Sequence, residues 1–280
     1  MATSAADRSA AVPARVLRLR DGRWETRADR LAGEEPLEVR VAAAGGEATP
    51  VAVTMRTPGA DFALAAGFLV TEGLLEAGDI SGVAYCTDPG EEQAYNAVVV
   101  RSANAPRREV RARAHAVTAA CGVCGTATLD ELRARCAPVA CEHRVAARTL
   151  LGLPDVLLEH QRGFGRTGAL HAAGLFTGDG AAVRVHEDVG RHNAVDKVVG
   201  WAALEGRLPL AGHVLLVSGR SSFEIVQKAA VAGIPVVCAV SGPSSLAVAT
   251  ADALGVTLVG FLREDRMNVY THPQRITRED

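Results

Sequence analysis

The sequence predicts a three-layer α/β domain preceded by a smaller α+β domain. Three observations carry this. Late in the chain, three nearly uninterrupted apolar runs at 213–218, 235–240 and 256–261 alternate with helical patterns, the mark of parallel strands buried on both faces. Earlier, two short alternating runs flank Gly45-Gly46 and lead into one amphipathic helix, a small α+β arrangement. A chain of 280 residues is also long enough for two cores. The expected layout is a disordered tail over 1–30, an N-terminal α+β domain over 31–117, and the three-layer domain over 118–280.

Composition narrows the functional classes. A formal net charge of −2 favours neither nucleic acid nor an anionic membrane, so any anion site must come from local clustering. No apolar run approaches the roughly 18 residues that span a bilayer. The first twenty residues carry Arg8, Arg15, Arg18 and Arg20 without an apolar core, so they do not read as a secretory signal, and a cytoplasmic protein is expected. Six unevenly spaced cysteines are too few for a disulfide scaffold in a chain of this size.

In order, strands are expected at 36–41 and 51–55. Thr57-Pro58-Gly59 then opens a helix over 62–75, with Phe62, Ala65, Ala66, Leu69 and Val70 on one face. A strand follows at 95–101 and another at 110–116, where Val110, Ala112, Ala114 and Ala116 alternate with polar residues. Thr128 and Glu131 form a capping box for a helix from 129, and a second helix is expected near 144–151. Gly178-Asp179-Gly180 joins strands 170–176 and 182–186 as a hairpin, and Asn193 caps a helix over 194–204. Ser221 and Glu224 form the capping box of the helix after 213–218, and a further helix covers 246–254. The order α-β-β-α-β-α-β resembles the cytidine-deaminase-like fold.

Two regions stand out chemically. Cys121-Gly122-Val123-Cys124-Gly125 sets two thiols three positions apart in a Gly-rich loop between a strand and a helix start. The nearby arginines and the helix N-terminus favour thiolate. Three readings compete for this pair: a structural disulfide, a zinc site completed by Cys136 and Cys141, and redox or sulfur chemistry. The second region is the set of strand ends, where ligands collect in α/β sheets. There Ser218-Gly219-Arg220-Ser221, Ser241-Gly242-Pro243-Ser244 and the run Phe261, Leu262, Arg263, Glu264, Asp265, Arg266 suit a phosphate or pyrophosphate, with Phe261 against a base. The plainer reading of these loops is helix caps and solvated charge. The junction at 187–197 gathers Asp188, Arg191, His192, Asn193, Asp196 and Lys197, which either surround a polar ligand or serve as caps and surface charge. His171 reads as a satisfied core histidine. Zinc deamination is excluded, because His192-Asn193-Ala194 lacks the glutamate and Ser218-Gly219-Arg220-Ser221 lacks the cysteines it requires.

Several motifs together resemble the formate dehydrogenase accessory sulfurtransferases, the FdhD family. They are Glu35-Pro36-Leu37, Thr57-Pro58-Gly59, Gly67-Phe68-Leu69 with Glu72-Gly73, the Cys121–Cys124 loop, His171-Ala172-Ala173, the 187–197 run, Ser218-Gly219-Arg220 with Glu224 and Gln227-Lys228, and Gly260-Phe261 with Arg263. The resemblance implies a sulfur carrier that passes persulfide sulfur from a cysteine desulfurase to the molybdenum (or tungsten) centre of bis(molybdopterin guanine dinucleotide), thereby activating formate dehydrogenase. It implies that Cys121 carries the sulfur with Cys124 as partner, that the cofactor lies in the strand-end site with Phe261 through Arg266, and that the protein is a homodimer. No structural metal is implied. Thr126 stands where relatives carry a basic residue, and Cys86, Cys136, Cys141 and Cys238 receive no role. The alternative is a cofactor-binding chaperone that moves no sulfur.

Overall fold

Residues 10–88, 90–107 and 138–278 are described by a computed structural model of the chain. It begins with an antiparallel ribbon, β1 (Ala11–Arg20) and β2 (Arg23–Ala32), turning at Asp21-Gly22. Both turn residues have positive φ, 50° and 75°, as the Asp-Gly pair of a tight two-residue hairpin requires. The disordered tail expected over 1–30 is therefore corrected from residue 11 onward. Its many arginines suggested solvated coil, whereas the deciding signal was the Asp-Gly pair between two alternating runs.

The next strands, β3 (Glu35–Ala43), β4 (Thr49–Arg56), β5 (Ile80–Tyr85) and β6 (Ala97–Ser102), form a sheet in the order β4-β3-β6-β5. Helix α1 (Asp61–Thr71) covers it, packing Leu64, Ala65 and Leu69 on Leu37, Val39, Val98 and Val100. Strand β5 lacks a clear alternation and was not expected.

The C-terminal lobe opens with β7 (Val145–Ala146), α2 (Ala147–His160) and α3 (Arg162–Thr167). Then come β8 (His171–Thr177), β9 (Ala182–Asp188), α4 (Arg191–Leu204), β10 (His213–Val217), α5 (Phe223–Val231), β11 (Val236–Ala239) and α6 (Ser245–Ala253). The chain closes with β12 (Thr257–Arg263), β13 (Arg266–Val269) and β14 (Ile276–Thr277). Six strands form one sheet in the order β13-β12-β11-β10-β8-β9. Its centre, β10-β11-β12, is parallel as expected, but β8, β9 and β13 run antiparallel to their neighbours, so the sheet is mixed. One face packs on α4, α5 and α6 through Val195, Val198, Val199, Ile225, Val226 and Ala251. The other packs on α2 through Leu150, Leu153 and Leu157. This is the expected three-layer arrangement. The expected strand at 110–116 and the helix from 129 lie outside the described residues, as does the domain boundary at 117/118.

The lobes meet where α1 crosses α4. A Cβ on Gly67 would stand 1.9 Å from the Asp196 carbonyl oxygen, and one on Gly200 would stand 1.8 Å from that of Ala63. The backbones touch, and only glycine permits it. Buried charge lines this seam. Lys228 Nζ lies 2.9 and 3.0 Å from the Asp196 carboxylate and 3.0 Å from Thr71 Oγ1, which also donates to Asp196 at 2.7 Å. Burial pulls Asp196 towards protonation, but the bonds from Lys228 and Thr71 decide for the ion pair. Lys228 accordingly holds its proton: burial works against the ammonium, and Asp196 and Glu72 outweigh it.

A second cluster ties Thr57 to α4. Its amide donates to Asp188 at 3.1 Å, its hydroxyl accepts from the Val189 amide, and its carbonyl accepts from Lys197, which pairs with Asp188 at 2.7 Å. Thr57 is thus a lobe-to-lobe connector; α1 begins after Ala60 without a side-chain cap, which corrects the simpler reading of Thr57-Pro58-Gly59. Two further capping expectations fail because the side chains are taken by tertiary partners. Asn193 lies inside α4 and donates to the Met55 carbonyl and Asp188 across the seam. Glu224 turns from the Ser221 cap to His192, and Ser222 is the N-cap residue of α5 without a side-chain bond.

Candidate functional site at the strand ends

A cleft of about 790 Å³ opens at the carboxyl ends of the central strands. That volume falls within the roughly 300–1,000 Å³ usual for small-ligand sites. Its floor is Ser218, after β10, with Val240 and Leu262; its rim is the β12–β13 turn with Arg263, Glu264 and Asp265. The opposite wall comes from α2 and α3 through Asp155, Leu158 and Phe164, and His171 at the start of β8 closes the inner end. Ser218 Oγ accepts from the Ala172 amide at 2.9 Å, which joins the end of β10 to the start of β8.

His171 corrects the core-histidine reading. Its ring is half-buried in the cleft wall and makes no hydrogen bond among the described residues. Burial, then the charges of Arg191 and His192, push its pKa below the usual 6.5, so the imidazole is neutral at pH 7 and keeps one nitrogen available to accept a proton. Gly219 leaves a gap beside it: a Cβ there would meet His171 Nδ1 at 3.4 Å and Arg191 Cδ at 4.0 Å. Arg191 Nε, buried beside this gap, has no hydrogen-bond partner among the described residues, and neither has Ser221 Oγ, two positions after Gly219. Buried groups of this kind ordinarily find a partner, so orphaned donors beside a cleft fit an anionic ligand.

The expected site residues divide accordingly. Ser218, Leu262, Arg263, Glu264 and Asp265 line the cleft. Phe261, Arg266, Arg220 and Ser241 do not: Phe261 is exposed and stacks over Gly242, and Arg266 is drawn into β13 opposite Arg263. Ser241 contributes backbone, its carbonyl accepting from the Phe261 amide. His192 bonds Glu224 at 2.8 Å and Ser222 at 3.0 Å, and Asn193 is consumed by the seam, so neither faces the cleft as expected. Of the 187–197 run, Asp188, Asn193, Asp196 and Lys197 are buried between the lobes, bonded to Thr57, Met55 and Thr71 of the N-terminal lobe. Three carboxylates, Asp155, Glu264 and Asp265, share the cleft with Arg263, so its charge is mixed rather than uniformly basic. The α2–α3 wall was missed because its cleft-facing residues alternate with the Leu150, Leu153, Leu157 core stripe of the same helix.

Cys121, Cys124 and Cys136 lie outside the described residues. Of the other thiols, Cys238 is fully buried and its pKa is pushed up by burial, and Cys141 Sγ lies 2.9 Å from the Ala211 carbonyl. Among the described residues, no group of three or more His, Cys, Asp or Glu is placed to hold a metal ion. No helix of these residues is long and apolar enough to cross a membrane.

Fold and cleft together define a two-lobed protein of mixed α and β structure with a cleft at the strand ends of its larger sheet. Residues 32–277 match the model of the FdhD/NarQ family, and the chain belongs to that family. It is 53% identical over 269 residues to a sulfur carrier protein FdhD of Mycolicibacterium paratuberculosis, covering 94% of this chain and 97% of that one. It is 52% identical to another of Streptomyces coelicolor, covering 94% of each. The fold is shared with a crystal structure assigned to a formate dehydrogenase accessory protein of Desulfotalea psychrophila, with a TM-score of 0.73 at 24% identity, covering 96% of this chain and all of that one.

Proposed function

We propose that this chain is a cytoplasmic, homodimeric sulfur carrier for formate dehydrogenase. Cys121 takes a persulfide sulfur from a cysteine desulfurase and delivers it to the molybdenum centre of bis(molybdopterin guanine dinucleotide), which is the cargo. In the uptake step the Cys121 thiolate attacks the outer sulfur of the donor persulfide. The donor S–S bond breaks, a new one forms at Cys121, and the donor leaves as thiolate. Cys124 is the neighbouring thiol of the loop. The cleft takes a guanylate end of the cargo, with Arg263 and the Ser218 loop as polar contacts. The observation that supports this most is the convergence of Ser218, Arg263 and the neutral His171 on one strand-end cleft, in a chain whose motifs include the paired thiols.

Cys121→Ala is the direct test. The variant is expected to keep its melting temperature and to lose formate dehydrogenase maturation and the mass increment of one sulfur atom at this position after incubation with desulfurase. Full enzyme activation by the variant would refute the reading.

A further inference from the structure

The ribbon β1–β2 belongs to neither lobe's sheet, and its register fixes what it presents. On one side Pro13, Arg15, Leu17 and Leu19 stand opposite Arg30, Ala28, Thr26 and Trp24. On the other, Ala14, Val16 and Arg18 are partly covered, so the first side is the more exposed of the two. There Leu17, Leu19 and Trp24 are 64%, 54% and 65% exposed, adjacent to one another near the tip. That side carries Arg15 and Arg30 and no carboxylate; Asp21 is in the turn, and Glu25 and Asp29 pair to the opposite side. A two-stranded ribbon is marginally stable alone and gains from being covered. A tryptophan and leucines with arginines on the same face are the residue types that anchor protein interfaces. Arginines without acids on the same face select an acidic partner.

Its position says which partner. The ribbon packs against α3, and Phe164 of that helix lines the cleft. A protein held by the ribbon is therefore next to the helix that forms one wall of the cleft. We propose that the β1–β2 ribbon is a docking arm for the acceptor enzyme, engaging an acid-rich, apolar-centred face of formate dehydrogenase that lacks its active cofactor. This rests on the sulfur-delivery reading above.

The test measures binding of the full chain to immobilised, cofactor-free formate dehydrogenase by surface plasmon resonance at low and high salt. Leu17→Glu/Trp24→Glu and the milder Arg15→Gln/Arg30→Gln are each expected to weaken binding about tenfold or more, and wild-type binding is expected to fall with salt. Sulfur loading of Cys121 by desulfurase, read by mass spectrometry, is expected to stay at the wild-type level in both variants. Variants that bind the enzyme as wild type overturn the inference. So does a loss of sulfur loading in step with binding, which would assign the ribbon to the donor. Tighter wild-type binding to phosphatidylglycerol vesicles or duplex DNA than to the enzyme, lost in the same variants, overturns it as well. If wild-type Cys121 takes up no sulfur while the variants still lose enzyme binding, the delivery reading fails and the docking arm stands.

Discussion

The helix crossing at Gly67 and Gly200 is the position where one atom matters most. Gly67→Ala puts a methyl group into the carbonyl of Asp196, and both neighbours are backbone, so relief requires moving a helix. We expect a loss of about 3 kcal/mol or more, measured by urea unfolding. His171 is the opposite case. It makes no hydrogen bond among the described residues, so His171→Ala should leave stability within about 1 kcal/mol of wild type while lowering activation of formate dehydrogenase, the two being read by thermal melt and by reconstitution assay. At this scale the sequence was legible in part. Ser218 and Arg263 were found because strand ends after apolar runs are recognisable. His192 and Asn193 were misplaced because a polar residue at a helix start reads the same whether it faces a ligand or another lobe.

Among the elements, α1, α4 and α5 depend on buried charge. Lys228→Met leaves the Asp196 carboxylate buried without its cation, and a cost of about 3–5 kcal/mol is expected from denaturant midpoints. Strand β9 carries a pH dependence. His186 is pushed down to about 4, chiefly by burial and then by Arg184 and Lys197, whereas an unfolded imidazole takes its proton near 6.5. Between these values the unfolded chain binds more protons, so stability is full above about 6.5 and falls as pH drops towards 4. His171 and His213 act in the same direction, so His186→Gln should flatten this slope without abolishing it, as followed by urea midpoints at pH 7, 6 and 5. The elements themselves were largely readable: continuous apolar strands and their helices fell within a few residues of expectation. Strands β5, β7 and β14 were not, because short edge strands are defined by a neighbour's open hydrogen bonds rather than by their own pattern.

Taken whole, the described residues of the two lobes meet through glycine contact and buried ion pairs. Unfolding is therefore expected to be one cooperative transition, with far-UV circular dichroism and tryptophan fluorescence tracing the same curve. This coupling explains why the motif residues at 57, 67, 72, 188, 193, 196, 197 and 228 say little about a ligand site: they describe how two cores are fused. One construction detail reaches further. Arg275, at the far end of the chain, donates to the carbonyls of Cys141 and Val139 and to Thr257, while β14 lies alongside β7. The Arg107 amide, on the other flank of residues 108–137, is held by the Leu74 carbonyl. The C-terminus thus fastens one of the two anchor points of the thiol-bearing stretch. Purification tags belong at the N-terminal end, and a truncation that removes Arg275 would release that fastening without touching a single cysteine.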